Sequence, residues 1–244
     1  MPLNPLHGLH CPLVMVVIPA FNEAENIGKV LSEIPKDSNS FRLQVLVIDD
    51  GSTDCTAEIA HEFGALVVQT KHNQGQGAAI RIGCEFAISA GAQIVVTMDA
   101  DGQHDPRKIG PLVQPILNGN LDFTIASRML IKGWWANPWR RLGVVMFNLF
   151  VNLLTGTQIT DCSSGFRALR SSKISKLTLC EPQFAAGEMI VKCAKHGLRI
   201  GEVPIAGQPR ASGETKKGND LSYAVGFARG VLRAWWHCVY HELS

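Results

Sequence analysis

The chain has 244 residues and a formal net charge of +2, long enough to bury a large α/β core and too weakly charged to point to nucleic acid as a partner. Its seven cysteines are scattered and include no C-x-x-C pair, which argues against a zinc site or disulfide frame and for reduced thiols in a cytosolic protein. No apolar run approaches the ~18–20 residues of a membrane span, and the Pro- and His-bearing start lacks the layout of an export signal, so any membrane contact is expected to be made from the surface.

The run 13–18 is almost wholly apolar and is closed by Pro19, as a central strand buried on both faces requires. Glu23 and Glu25 suit a first helical turn, and Ile27, Val30, Leu31 and Ile34 then recur at helical spacing. The pattern repeats at once. Residues 45–48 are a second apolar run, Asp49-Asp50-Gly51-Ser52 a turn, and Thr53 or Asp54 an N-cap for a helix through Phe63. A third run, 65–68, leads through Asn73-Gln74-Gly75-Gln76-Gly77 to a helix over about 78–90. Its two glycines suit either a phosphate cradle of backbone N–H groups or a close-packed strand-to-helix turn.

The β-branched run 94–97 ends in Asp99 and Asp101, two carboxylates one residue apart where strand gives way to loop. Ligands gather at the carboxyl ends of strands in open α/β sheets, and a hard divalent cation takes a few oxygens there while leaving room for phosphates. The pair suits either Mg²⁺ or Mn²⁺ held with a diphosphate or a solvated acidic turn, since Asp and Gly both favour turns. After Pro106 come a helix to about Asn118 and a strand over 121–126, ending at Ser127-Arg128, where a guanidinium could offset the diphosphate.

Trp134, Trp135, Trp139 and Arg140-Arg141 precede an apolar helix over 144–154, interrupted only by Asn148 and Asn152 on one face. It suits an interfacial membrane helix, a core helix over the sheet, or both where it lines an acceptor groove. Asp161 to Arg167 returns to small and polar residues. A helix over 184–196 carries Glu188 and stops at Gly197, and a strand over 199–205 is placed near a sheet edge by Pro204. The polar segment 208–220 carries Arg210, Lys216 and Lys217 and reads as a basic loop able to close over an anionic substrate. The last helix, 221–240, is amphipathic and carries Trp235 and Trp236. Strands alternating with helices predict a mostly parallel α/β sheet flanked by helices. We expect one domain over 1–244, with a core of about 13–210 and the basic loop and amphipathic helix over 208–240.

Six ordered segments, Ile18-Pro19-Ala20-Phe21-Asn22-Glu23, Val47-Ile48-Asp49-Asp50-Gly51-Ser52-Thr53-Asp54, Asn73-Gln74-Gly75-Gln76-Gly77, Met98-Asp99-Ala100-Asp101, Asp161-Cys162-Ser163-Ser164-Gly165-Phe166-Arg167 and Glu202-Val203-Pro204-Ile205, together resemble glycosyltransferase family 2. The likeness runs over roughly 13–232 and is nearest to the dolichol-phosphate mannosyltransferases and their bacterial polyprenyl-phosphate relatives. It implies the GT-A fold and a nucleotide-diphospho-sugar donor, GDP-mannose being favoured. Position by position, it implies Pro19, Phe21, Glu23, Ile48 and Asp50 around the base and ribose. It implies Asp99, Ala100, Asp101 and Gln103 around the diphosphate, with Asp99, Asp101 and Gln103 on the metal. Arg128 falls at the reaction centre, and Arg210 and Lys216 on the donor phosphates. Phe21 stands where tyrosine is frequent, Gln76 where lysine is frequent and Thr215 where serine is usual; the missing lysine weakens a phosphate role for the glycine loop.

The reaction expected is inverting transfer to a polyprenyl phosphate, whose own negative charge removes the need for a strong base. Catalysis then rests on alignment and on stabilising the leaving diphosphate, with Asp101, Arg128 and Asp161 as the residues carrying it and Asp161 near the acceptor, orienting an arginine or the sugar. The alternatives are transfer to a sugar hydroxyl, which does need a base, and a sugar-nucleotide-binding subunit without catalysis. A lipid acceptor places the protein peripherally on the cytoplasmic face of a membrane, held by its amphipathic elements or by a membrane-anchoring partner.

Overall fold

The computed structural model describes residues 11–36, 38–131, 138–209 and 220–242. Trp134, Trp135, Arg210, Thr215, Lys216 and Lys217 lie outside the described residues, as do the side chains of Trp139, Arg140 and Arg141.

Seven strands, β1 (Leu13–Ala20), β2 (Arg42–Asp49), β3 (Leu66–Gln69), β4 (Ile94–Thr97), β5 (Phe123–Ser127), β6 (Arg167–Arg170) and β7 (Ile200–Pro204), form one sheet in the order β3-β2-β1-β4-β6-β5-β7. Every pairing is parallel except the two made by β6, which runs antiparallel to β4 and β5. The helices are α1 (Ala24–Ser32), α2 (Thr56–Glu62), α3 (Gln76–Ser89), α4 (Ile109–Leu117), α5 (Pro138–Thr155), α6 (Ser171–Ile174), α7 (Ala185–Lys195) and α8 (Asp220–His237). A 3₁₀ turn over Pro106–Lys108 precedes α4, and a π-helical turn over Cys238–Glu242 extends α8.

Strand alternation divides the core between the two faces of the sheet. Val14, Val16 and Ile18 of β1 pack with Ile27 and Val30 of α1 and with Leu112, Val113 and Ile116 of α4. Met15 and Val17 point the other way, into a cluster with Ala79 and Cys84 of α3, Met189 and Ile190 of α7, and Phe227 and Val231 of α8. The sequence-based strands and long helices are all present. As Pro204 indicates, β7 is an edge strand, paired among the described residues with β5 alone.

Two features differ from expectation. β6 was not foreseen, because two arginines bracket only Ala168 and Leu169 and leave no apolar run to read. The strand is buried because β4 and β5 enclose it, not because its own sequence is apolar. The N-cap of α2 is Cys55, neither Thr53 nor Asp54. Asp54 serves both helices instead: its carboxylate accepts the backbone N–H of Thr56 in α2 and that of Ala24 in α1.

Helix α5 inverts the usual arrangement of an amphipathic helix. Its asparagines face the protein: Asn148 donates to the Thr160 carbonyl and accepts from Cys162 N at 2.9 Å, while Asn152 exchanges hydrogen bonds with both backbone groups of Ile159. Val151 is buried beside them. The opposite face shows Leu142, Val145, Met146, Leu149 and Leu153 to solvent, Leu153 being 81 % exposed. Helix α8 likewise exposes Val225, Leu232 and Trp236, and the π-helical turn after it Tyr240, while Phe227 and Val231 of α8 are buried and Trp235 Nε1 donates to Leu154 O of α5 at 3.1 Å. Among the described residues, no helix is long and apolar enough to cross a membrane.

Candidate active site

The carboxyl ends of β1 and β2 are joined by their own loops. Asn22 adopts a left-handed backbone (φ 51°), a conformation asparagine tolerates better than most residues. From there its N–H reaches Ser52 Oγ, and its side-chain oxygen accepts Thr53 N at 2.8 Å. The next N–H, that of Glu23, reaches Thr56 Oγ1 at 2.9 Å. The buried Glu23 carboxylate accepts from Asn26 Nδ2 at 2.7 Å. Pro19 pairs in register with the fully buried Ile48, and Phe21 is half-buried beyond them. These expected donor-site residues therefore share one rim of the sheet.

Asp50, the last of them, is buried at 3 % exposure, and both its oxygens are engaged by the glycine loop. They accept from Gln74 N at 2.9 and 3.0 Å, Gly75 N at 2.7 Å and Thr70 Oγ1 at 3.0 Å. Gly77 N donates to Pro182 O at 2.6 Å. The glycine N–H groups are thus already spent on protein acceptors, which favours the close-packed turn over the phosphate cradle. Packing explains the glycines: a Cβ on Gly77 would lie 2.0 Å from Glu181 O, and one on Gly75 2.6 Å from Pro182 O. Segment 180–182 is held in turn by α7, where the buried Glu188 accepts Cys180 N and Glu181 N and pairs with the buried Lys192.

The glycine loop carries Gln76 to the acidic loop. Gln76 Nε2 donates to Asp99 Oδ1 at 2.7 Å, and His104 Nε2 lies 3.2 Å from Asp99 Oδ2, its ring packed at a tilt against Phe166 with centroids 5.4 Å apart. Asp101 Oδ1 accepts Gln103 N at 3.0 Å, Ala100 is buried beneath, and Gln103 O accepts Gln208 N at 2.8 Å. The described chain therefore reaches position 209 beside the acidic loop, just before Arg210. Across from Asp99 lies Gly165, where a Cβ would stand 2.8 Å from both carboxylate oxygens. This close approach explains why the loop has glycine there. Gly165→Ala is expected to displace Asp99 and weaken Mn²⁺ binding about tenfold, read by electron paramagnetic resonance of free Mn²⁺, with unfolding temperature little changed.

The donor set fits a hard divalent ion. Asp99 and Asp101 offer carboxylate oxygens, Gln76 and His104 orient Asp99, and no cluster of three His, Cys, Asp or Glu ligands closes around a metal among the described residues. Such a set keeps positions for water and substrate phosphates.

Arg128, one residue past β5, meets Asp161, in the loop before β6, at the same end of the sheet as the acidic loop. Its Nε donates to Asp161 Oδ2 at 2.7 Å, its Nη2 to Oδ1 at 2.9 Å, and its backbone N–H to Oδ2 at 3.1 Å. Ser163 Oγ bonds both partners. The Asp161 side chain is fully buried, whereas that of Arg128 is 22 % exposed. Burial pushes the Asp161 carboxyl up, but the hydrogen bonds and charge of Arg128 outweigh it and hold the group below the usual carboxylate range. Nearby, the fully buried Arg167 donates to the carbonyls of Ser164, Cys162 and Ala186. Burial lowers its pKa to about 10, so it stays charged at neutral pH and pins the loop that presents Asp161 and Gly165.

Sequence alone gives no role to Gln76 beyond its departure from lysine, and none to His104, Thr160 or Glu202. Glu202 stood in a quoted motif, and a carboxylate beside an edge-strand proline was the one readable signal.

The profile of Glycosyl transferase family 2 matches residues 15–178. The chain is 31 % identical over 215 residues to UDP-N-acetylglucosamine–dolichyl-phosphate N-acetylglucosaminyltransferase of Methanococcus voltae, covering 79 % of this chain and 84 % of that one. It is 30 % identical over 228 residues to the polyprenol monophosphomannose synthase of Mycolicibacterium smegmatis, covering 86 % and 83 %. The glucosyl-3-phosphoglycerate synthase of Mycobacterium tuberculosis, solved with Mn²⁺, UDP and glucosyl-3-phosphoglycerate, superposes with a TM-score of 0.70 at 22 % identity, over 93 % of this chain and 80 % of that one, and shares the GT-A fold. With the strand-end carboxylates, the buried arginine bridge and the mostly parallel sheet in place, the profile match assigns the chain to family 2 of the glycosyltransferases.

Proposed function

We propose that the protein transfers a sugar, mannose from GDP-mannose being favoured, from a nucleotide-diphospho-sugar to a polyprenyl phosphate of the dolichyl type, with inversion at the anomeric carbon. The observation that carries this reading is the state of Asp161. Both its oxygens are committed to Arg128 and Ser163, its side chain has no exposure, and its carboxyl is held below the usual carboxylate range, which makes the carboxylate a weak base. A group so placed is ill suited to take a proton from a sugar hydroxyl, which disfavours the hydroxyl-acceptor alternative. A phosphate monoester arrives already ionised and needs no such base. The relatives named for dolichyl phosphate and polyprenol acceptors lend further support.

Pro19, Phe21, Glu23, Ile48 and Asp50 would hold base and ribose, with Asp50 acting mainly through the glycine loop that it fixes. Asp99, Ala100, Asp101 and Gln103 would receive the diphosphate, and Asp99 and Asp101, with Gln103, would hold Mg²⁺ or Mn²⁺. The bound ion would neutralise charge on the diphosphate as it departs. Arg128, oriented by Asp161, would add a fixed positive charge on the reaction side, and Arg210 and Lys216 would close on the donor phosphates. The acceptor phosphate would attack the anomeric carbon while the bond to the diphosphate breaks. The deciding experiment supplies GDP-mannose and, separately, UDP-glucose to the enzyme with a polyprenyl phosphate in detergent and Mg²⁺. An organic-soluble sugar lipid formed from one of them is expected; transfer only to sugar hydroxyls would reverse the reading.

We also propose that the protein sits on the cytoplasmic side of a membrane, where such a lipid would be met, and the exposed apolar face of α5 supports attachment to a membrane surface. Its five large apolar side chains project from a helix whose Asn148 and Asn152 are turned inward. Full burial of a leucine is worth about 1.5–3 kcal/mol, so replacing Leu149 and Leu153 together by lysine is expected to lower affinity for phospholipid vesicles at least about tenfold. Turnover in detergent should change little, and flotation of the double variant equal to wild type would remove α5 from the contact.

A further inference from the structure

Glu202 lies on the edge strand β7, opposite Ile125 of β5, and its carboxylate is turned toward the loop that carries Asp161. Oε1 accepts Asp161 N at 2.9 Å and Thr160 N at 3.0 Å, and Oε2 accepts Thr160 N at 2.9 Å and Thr160 Oγ1 at 2.8 Å. Thr160 Oγ1 also lies 2.7 Å from Ser127 Oγ, on the residue preceding Arg128. From the other side, Asn148 of α5 binds the Thr160 carbonyl. The peptide bearing the buried Asp161 is thus fixed by a carboxylate on β7, a hydroxyl on β5 and an amide on α5.

We propose that Glu202 is a positioning residue for the transfer reaction: by fixing the backbone of Thr160 and Asp161 it sets where Asp161 holds the guanidinium of Arg128. This rests on the reading that Arg128 acts on the departing diphosphate. A carboxylate is required because both of its oxygens accept. Glutamine keeps the shape but has one acceptor, and its NH₂ would oppose a backbone N–H of Thr160 or Asp161. Peptide and bridge would shift together, and a guanidinium displaced by a fraction of an ångström loses much of its hold on a transition state while still contacting the ground state.

The test compares Glu202→Gln, Arg128→Lys and the double variant, with C55 polyprenyl phosphate in detergent and GDP-mannose and UDP-glucose assayed in parallel. Glu202→Gln is expected to lower kcat about 30-fold, less than the roughly 10²–10³ lost with a complete transition-state donor, while leaving the donor KM within about twofold. In the Arg128→Lys background the same change should cost no more than about a further factor of two, because the group through which it acts is already altered. Effects that multiply would show that Glu202 works independently of Arg128 and would overturn the proposal alone. Full turnover in Arg128→Lys would overturn the role of Arg128, and with it that of Glu202. Thr160→Val, which removes only the hydroxyl bonds, should lower kcat about fivefold, and Thr160→Ser should restore most of it. A readout that needs no turnover is the crystal structure of Glu202→Gln: the Thr160–Asp161 peptide and the Asp161–Arg128 bridge are expected to shift together, and an unchanged position of the guanidinium overturns the inference.

Discussion

Alanine at Asp101 is expected to lower sugar transfer by a factor of about 10³ or more and to abolish the Mn²⁺-dependent part of nucleoside diphosphate binding, measured by calorimetry. Asp101 stands on the loop after β4, where its carboxylate accepts the backbone N–H of Gln103. Losing that bond costs about 1 kcal/mol, and circular dichroism is expected to show the variant folded. Its consequence for charge is larger. Asp99 would be left as the one acidic residue of the pair, oriented by Gln76 and His104 but unable to share a divalent ion with a second carboxylate. Near-normal turnover in this variant would remove the metal assignment from the acidic loop.

Asparagine at Asp161 is the second large change, and it reads on stability as well as rate. The bridge joins a fully buried carboxylate to a mostly buried guanidinium, and removing one charge from such a pair typically costs about 3 kcal/mol because the other is left without compensation. Urea unfolding should show a loss of about that size at neutral pH. The pH dependence has a defined sign. Because Arg128 depresses the folded-state pKa of Asp161, the stability it contributes is complete above the ordinary carboxylate value of about 4 and fades as pH falls through the lower, folded-state value. The gap between wild type and Asp161→Asn should therefore narrow in acid. Turnover should fall by about 30- to 100-fold through misplacement of Arg128, with the remaining activity showing the same pH profile as wild type. Loss of an acid limb from that profile would instead make Asp161 a proton acceptor.

The parts of the molecule legible in the sequence were those whose pattern is local. β1, β2 and β4 are apolar runs ending in turn residues, and the acidic pair after β4 could be placed at a strand end without any tertiary information. β6 could not, because Arg167 and Arg170 are charged in sequence. Only the structure shows Arg167 satisfied by three carbonyls in the interior. The glycine loop was legible as a turn but not as a packed one, since the atoms that exclude a Cβ from Gly77 belong to Glu181 and Pro182, a hundred residues away. The same holds for Glu202, whose donors sit on Thr160 and Asp161. Asn148 and Asn152 were correctly put on one face of a helix, yet periodicity does not say which face turns inward. The hydrogen-bond demand of segment 159–162 decides it.

The position of β4 in the sheet also bears on how the chain folds. This four-residue strand takes its register from Val14–Val17 on one side and from Arg167–Arg170 on the other, segments about 80 and 70 residues distant. Closing those loops precedes any reward from pairing, so the acidic pair is fixed only after two long-range events. During synthesis, a nascent chain that has reached β5 still has an unpaired edge on β4, of Ile94, Val95, Val96 and Thr97, until β6 emerges and inserts between β4 and β5. Chains released before residue 170 should therefore aggregate through that edge, whereas full-length chains acquire the sheet and the site in one late step.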